Sequence, residues 1–148
     1  MIINKRFVLS SSSKSRKSIL RKIGLNFKSI KPNCDEKFYM KKLKKLNLSP
    51  KKISLRLAKI KAKETSLKEK NIMVVGSDTV INFQGSLFEK VGSIKEAAKT
   101  IKKLSGKKHK IISSAATYYN SKLIWSGSET TVVTMRKLNN KEIDEYLN

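Results

Sequence analysis

Hydrophobic and polar residues form short blocks along this chain, some with the period of a strand and some with that of a helix. Short apolar runs bounded by turn residues predict strands at 6–10, 27–31, 72–75, 80–83, 87–88, 110–119 and 123–135. The run at 72–75 is expected to end in Gly76-Ser77-Asp78, and Gln84-Gly85-Ser86 is expected to turn a hairpin.

Helical spacing of apolar residues predicts helices at 14–23, 38–46, 93–104, from Ser49-Pro50 onward and from Asn140 to the C-terminus. Ser49 is a good N-cap with proline at the first helical position, and Ser93 with Glu96 has the spacing of a capping box. Strands and helices are interspersed, with hairpins among them. The sequence therefore predicts an α/β protein with a mixed β-sheet and flanking helices.

The 148 residues fit one domain or two small lobes that share a sheet. No apolar run approaches the ~20 residues of a membrane helix, and the patch Phe7-Val8-Leu9 is too short for a secretory signal. Cys34 is the single cysteine, which excludes an internal disulfide. A cytoplasmic location is expected, and Cys34 is interpreted as an incidental thiol rather than a nucleophile, because no Cys/His motif surrounds it.

The net charge of +23 admits two interpretations. Lysines neutralise phosphates, which suggests a nucleic-acid partner. However, arginine occurs only five times among the 34 basic residues, the lysines are dispersed, and specific base readers favour arginine. A compositional bias toward lysine is therefore preferred over specific nucleic-acid binding. In either case the field attracts polyanions such as nucleotides.

Two segments could carry chemistry. The serine run 10–13 lies between a strand and a helix start, where backbone N–H groups bind anions, and Arg16 could grip a phosphate. The alternative is a helix cap beside a solvated arginine. Asp78, placed at a strand end, could hold Mg²⁺ or activate water, or be a turn aspartate. Acidic residues are scarce, so Asp35-Glu36 is a candidate metal partner.

His109, Trp125 and the pair Tyr118-Tyr119 are interpreted as structural.

Taken in order, these segments resemble the Maf family of nucleotide pyrophosphatases. Seven segments carry the resemblance, namely the serine-rich opening 9–20, Asp35-Glu36, the Arg-Leu-Ala-x-x-Lys-Ala pattern at 56–62, Gly76-Ser77-Asp78-Thr79, Glu89-Lys90, Leu104-Ser105-Gly106 with His109, and Thr134-Met135-Arg136. Each motif is weak alone. Seven in the family's order and spacing, over essentially the whole chain, are specific.

The resemblance implies a Maf/inosine-triphosphatase-like fold with two lobes around a cleft. It implies a hydrolase of nucleotide metabolism that converts a nucleoside triphosphate into the monophosphate and pyrophosphate, with bound Mg²⁺ or Mn²⁺. Asp78 would be catalytic and a metal ligand, and Glu36 a second metal ligand. Ser15 and Thr79 would set the base preference. The phosphate-binding residues would be Ser11, Ser13, Arg16, Lys61 and Lys90.

The chain also departs from the family pattern. Lys14 and Val91 stand where proline is usual, and Ser15 where arginine or tryptophan is common. Family members usually continue beyond the position of Asn148, through a segment with Gly and Gln or Glu that helps to close the active site. The expectation is one Maf-like domain over 1–148 without that part. The competing hypothesis is a basic nucleotide- or nucleic-acid-binding protein without catalysis. No membrane partner is expected, and a homodimer is kept open.

Overall fold

A computed structural model of the chain describes residues 6–88 and 91–148. All the predicted helices and the hairpin at Gln84-Gly85-Ser86 are present, and the α/β class is confirmed. The elements are β1 (Phe7–Ser10), α1 (Lys14–Lys22), β2 (Phe27–Ile30), α2 (Glu36–Lys44), α3 (Pro50–Lys68), β3 (Met73–Phe83), β4 (Ser86–Phe88), α4 (Ile94–Leu104), β5 (Lys108–Tyr119), β6 (Lys122–Thr134) and α5 (Asn140–Leu147).

The strands form one mixed sheet in the order β2-β1-β3-β5-β6, and β4 also pairs with β3. β1 is parallel to both β2 and β3, and its last residue, Ser10, lies opposite Gly76 of β3. Val8, Leu9 and Ser10 are fully buried, which explains why β1 is a continuous apolar run rather than an alternating one. β4 is antiparallel to β3 across the turn at Gln84-Gly85. Parallel strands need long crossovers, which α1, α2 and α3 supply.

The prediction that a strand ends at Gly76-Ser77-Asp78 is wrong. β3 continues through these residues to Phe83 as a single strand. Gly76 serves close packing instead of a turn, because a Cβ there would lie well inside contact distance of the Ala58 carbonyl oxygen and the Ala62 amide nitrogen. A sequence pattern cannot distinguish a glycine in a turn from a glycine at a close backbone contact, because both positions require a residue without a side chain.

Helix α3 is the element that places the site. Ser49 caps it, since its hydroxyl accepts a hydrogen bond from the Lys52 amide at 3.3 Å, and Pro50 is its first residue. Its buried face includes Leu57, Ala58, Lys61, Ala62 and Thr65, at helical spacing. Because Ala58 and Ala62 are small, α3 packs directly against the backbone of β3 at Gly76. Lys61 is thereby brought to Asp78, two residues beyond that glycine.

Contacts divide the chain into two compact units. One comprises the chain up to Asp78 together with Ser113–Ser128, and the other comprises Thr79–Ile112 together with Glu129–Asn148. In the second unit α4 packs against α5, with Leu104 and Ile143 buried. Asn139 and Glu142 form a complete capping box at the start of α5. Within the described ranges, no helix is both long and apolar enough to cross a bilayer.

Burial differs from the sequence expectation at several apolar positions. The apolar stripe of α1 is not buried, since Ile19 and Ile23 are 61% and 65% exposed. Tyr118 is buried as expected, whereas Trp125 is 57% exposed and its ring lies over Gly127 of the same strand. Periodicity identifies which face of an element is apolar, but whether another element covers that face is decided by the tertiary arrangement.

Candidate active site

The serine-rich loop joins the end of β1 to the start of α1. The Ser13 side chain caps α1 by accepting from the Arg16 amide at 3.3 Å. The Arg16 Nη1 donates to Ser11 Oγ at 2.6 Å, so the guanidinium is held against the loop instead of extending into solvent. The backbone N–H groups of a helix start, a basic first turn without acidic residues, and two hydroxyls form a suitable site for an anion. Ser15 lies in the same turn, with its Oγ 3.1 Å from that of Ser13.

The acidic pair Asp35-Glu36 lies at the N-terminus of helix α2, and the two carboxylates make different contacts. Asp35 is the N-cap, and its carboxylate accepts from the Phe38 amide at 3.0 Å. Glu36 is the first helical residue, and its Oε2 lies 3.0 Å from Lys61 Nζ. The structure therefore assigns Asp35 to the local fold and leaves Glu36 as the carboxylate that takes part in the site.

Lys61 and Asp78 form a buried ion pair. The Lys61 Nζ donates to Asp78 Oδ1 at 2.7 Å, and both side chains are nearly inaccessible to solvent. Since the same Nζ also contacts Glu36, one ammonium group pairs with two carboxylates. A buried charge of either sign is tolerated only when it is paired in this way. This pairing selects Lys61 from the other lysines of the chain, which composition could not do.

Arg16 lies within electrostatic reach of the same carboxylates. Burial lowers the pKa of its guanidinium, and the negative charges of Asp78 and Glu36 oppose that shift. Arginine nevertheless stays protonated at any physiological pH. Four predicted residues, Arg16, Glu36, Lys61 and Asp78, thus come from four different elements and meet in the first unit with two positive and two negative charges.

The donor set fits a divalent cation of the Mg²⁺ type. Glu36 and Asp78 present carboxylate oxygens to a common cation, Lys61 Nζ. Mg²⁺ in nucleotide enzymes is commonly bound by one or two carboxylates, with substrate phosphates and water completing the shell. Over residues 6–88 and 91–148 no group of three or more His, Cys, Asp or Glu could hold a metal, so an all-protein cage is absent there. Glu36 and Asp78 would be the two residues that hold such a cation.

The remaining residues that the sequence singled out are Thr79, Lys90 and His109. Thr79 follows Asp78 on β3, belongs to the second unit and is exposed. Lys90 lies outside the described residues. His109 is buried on β5, also in the second unit, which agrees with a structural interpretation. The proposed roles of Lys90 and Thr79 therefore still rest on the sequence motifs.

Cys34 was interpreted as incidental, yet it lies near the charged cluster. Burial raises the pKa of its thiol; Lys61 opposes this shift, while Glu36, Glu64 and Asp35 reinforce it. A raised pKa keeps the sulfur protonated and weakly nucleophilic, which supports the view that Cys34 is not a catalytic nucleophile. Its position just before Asp35-Glu36 in the sequence was the only signal that could have placed it near the site.

The chain is similar to known proteins over nearly its whole length. A family described as "Maf-like protein" matches residues 6–148. The 7-methyl-GTP pyrophosphatase of Bartonella quintana is 36% identical over 140 residues, which cover 95% of this chain and 70% of the relative. The nucleoside triphosphate pyrophosphatase of Pelagibacter ubique is 32% identical over 143 residues, 97% of this chain and 73% of the relative. The dTTP/UTP pyrophosphatase of Thermotoga maritima is 34% identical over 142 residues, 96% of this chain and 66% of the relative. The match across the chain, together with the charged residues assembled in the first unit, shows that the chain belongs to the Maf-like protein family.

Proposed function

We propose that this protein is a nucleoside triphosphate pyrophosphatase that hydrolyses the anhydride bond between the α- and β-phosphates and releases a nucleoside monophosphate and pyrophosphate. The observation that carries the proposal is the convergence of Arg16, Glu36, Lys61 and Asp78 beside the start of α1. The names of the relatives support the reaction class, since each is described as a pyrophosphatase of a nucleotide.

The phosphate chain would be bound by cationic and hydroxyl groups. The Arg16 guanidinium contacts Ser11, and the Arg16 backbone amide donates to Ser13 Oγ. The fork of N–H donors in a guanidinium matches the geometry of phosphate oxygens. Lys61 has three N–H donors, and the two carboxylates take two of them, so one remains for a phosphate oxygen. Lys90 would contribute another positive charge from its motif position. Such groups stabilise the charge that develops on the leaving pyrophosphate.

Asp78 would be the general base. Its carboxylate pairs with the Lys61 ammonium group, and nearby cations favour the charged form of a carboxylate. It accepts a proton from a water molecule as the water oxygen bonds to the α-phosphorus and the bond to the bridging oxygen breaks. Pyrophosphate departs with the bonding electrons, and the proton leaves Asp78 for solvent. A divalent cation held by Glu36 and Asp78 would supply neutralisation of the phosphate oxygens.

The base preference belongs to the same proposal. The relatives are named for different bases, which are 7-methyl-GTP in one case and dTTP or UTP in another. We assign Ser15 and Thr79 as selectivity positions, because Ser15 lies in the first turn of α1 and Thr79 directly follows the catalytic aspartate on β3. A cytoplasmic location and the lack of a specific nucleic-acid partner are also part of the proposal, and a homodimer stays open.

The test is a paired measurement on Asp78→Asn. Asparagine keeps the size and one acceptor oxygen but removes the charge. Pyrophosphate release is assayed with the common nucleoside triphosphates, their deoxy forms and 7-methyl-GTP, each with Mg²⁺ or Mn²⁺, and nucleotide affinity is measured on the same folded protein. We expect release to fall by at least a hundredfold, about 2.7 kcal/mol, while nucleotide affinity is retained.

Asp144→Asn is the matched control, since Asp144 is exposed on α5. If Asp78→Asn turns over like the parent, the proposed mechanism is wrong. If the parent binds nucleotides but releases no pyrophosphate under any condition, the binding-protein hypothesis replaces the enzyme. Tight, sequence-selective binding of duplex DNA at 0.15 M salt would favour a nucleic-acid partner instead, since non-specific binding at that salt is weak.

A further inference from the structure

Ser10 is a buried serine to which the reaction proposed above gives no role. It is the last residue of β1 and is fully inaccessible to solvent. Its hydroxyl donates to the backbone carbonyl of Lys61 at 2.9 Å, and its Oγ lies 2.7 Å from Thr65 Oγ1. Because the single proton of Ser10 is used on the carbonyl, Thr65 must be the donor in the second bond. The result is a short chain of hydrogen bonds from Thr65 through Ser10 to Lys61.

The acceptor of the Ser10 hydrogen bond is the backbone carbonyl of Lys61, a residue of the candidate active site. A carbonyl inside an α-helix already accepts the amide of the fourth residue onward, so the bond from Ser10 is additional to what the helix requires. Ser10 attaches β1 to α3 at the residue whose ammonium contacts Asp78 and Glu36. A buried serine that only needed a partner could have used any nearby acceptor. Here it uses the carbonyl of a site residue.

Ser10 is also next to the serine-rich loop that joins β1 to α1. The Ser11 amide donates to the Leu9 carbonyl at 3.0 Å, so the chain turns tightly at Ser10 immediately after the strand. Ser11 then receives the hydrogen bond from Arg16. A single residue therefore connects the Ser11–Arg16 pair to Lys61, although 51 positions separate Ser10 from Lys61 in the sequence.

We propose that Ser10 is a positioning residue that holds the Ser11–Arg16 pair and Lys61 at a fixed separation, so that both act on the same phosphate chain. This inference rests on the proposed function and adds to it a residue that touches neither substrate nor metal. Displacement of reacting groups by about 1 Å can cost about a hundredfold in rate. One lost neutral hydrogen bond has a far smaller effect on the stability of the fold.

The experiment compares Ser10→Ala with Ser114→Ala. Ser114 is equally inaccessible, and its hydroxyl pairs with that of Ser128 at 2.7 Å, a bond of the same length and type as the Ser10–Thr65 contact. We expect Ser10→Ala to lower kcat at least tenfold with KM changed less than threefold. Ser114→Ala should leave kcat within twofold of the parent. Ser10→Cys, which keeps a weak donor, should recover part of the loss.

A second readout does not depend on turnover. The affinity for inorganic pyrophosphate is titrated for the parent, Ser10→Ala, Lys61→Met and the double variant. Ser10→Ala should weaken binding severalfold in the parent and change nothing in the Lys61→Met background, because the role of Ser10 runs through Lys61. Equal losses in the two backgrounds, or equal kcat losses at Ser10 and Ser114, would show a purely structural role.

The outcomes separate the two proposals. If the parent releases pyrophosphate and Ser10→Ala does so at the same rate, the role of Ser10 is refuted and the enzyme stands. If the parent releases none, the proposed function fails, and the pyrophosphate titration alone decides the role of Ser10. A parent that binds no pyrophosphate, or binds it as well after Ser10→Ala, refutes that role.

Discussion

Replacing Lys61 by methionine tests the charge arrangement at the centre of the site. Methionine keeps an unbranched side chain with good helix propensity on α3 but removes the ammonium group. Asp78 Oδ1 and Glu36 Oε2 lie 2.7 and 3.0 Å from the Lys61 Nζ. Without that ammonium group, the two carboxylates lose the cation that they share, and Arg16 remains within electrostatic reach of both.

The expected loss of stability follows from two estimates. Removing one partner from a buried ion pair costs about 3–5 kcal/mol. The Glu36 side chain is 32% exposed, so water screens part of its charge and the lower end applies. Independently, two carboxylate oxygens 2.7 and 3.0 Å from one nitrogen lie at most about 6 Å apart. Unit charges at that separation repel by at least about 3 kcal/mol at an effective dielectric constant of 20. Both estimates give about 3 kcal/mol, which corresponds to a fall in Tm of about 6–12 °C for a protein of this size.

Urea unfolding measures this loss as a lower midpoint at unchanged slope. Added Mg²⁺ should restore part of the stability if both carboxylates bind it, since a ligand of the folded state stabilises that state. Lys59→Met, on the same helix, should stay within about 0.5 kcal/mol of the parent. A loss below about 1 kcal/mol for Lys61→Met, the value of a surface pair, would refute the reasoning.

Three further predictions concern other parts of the molecule. Removing the charge of Lys90 should slow pyrophosphate release at least tenfold, about 1.4 kcal/mol of transition-state stabilisation. The same change at Lys95 should have no effect. Equal losses at the two lysines would mean that the overall positive charge, and not a specific site, is responsible. Because burial raises the pKa of Cys34, iodoacetamide should alkylate it more slowly than a free cysteine at pH 7.5, and its rate–pH curve should have a midpoint above that of the free cysteine. A midpoint at or below that of the free cysteine would contradict the structure. Gly76→Ala should lower the free energy of unfolding, measured in urea, by about 1–3 kcal/mol, because the added methyl group meets the backbone of α3. An unchanged free energy of unfolding would show that α3 does not pack so closely on β3.

The sequence by itself determined the local structure and the identity of the chemical groups. Helix starts were visible because a cap acts over three or four residues, as at Ser49 and Ser93. The hydrophobic periods of the strands and helices predicted the α/β class, because such periods depend only on residues that are close together in the sequence. The motif order indicated Arg16 and Asp78 as functional residues before any contact was known, since the motifs are contiguous in the chain.

Only the tertiary structure decided what those groups do to one another. Composition leaves Lys61 as one lysine among 29 and the motif singles it out, but only the packing of α3 on Gly76 shows its contacts with Asp78 and Glu36. Asp78 was predicted at a strand end, whereas it lies inside β3. Ser10 looked like part of a serine-rich turn, and its bond to Lys61 joins residues 51 positions apart. Contacts of this kind depend on how elements pack, and periodicity and propensity describe only each element by itself.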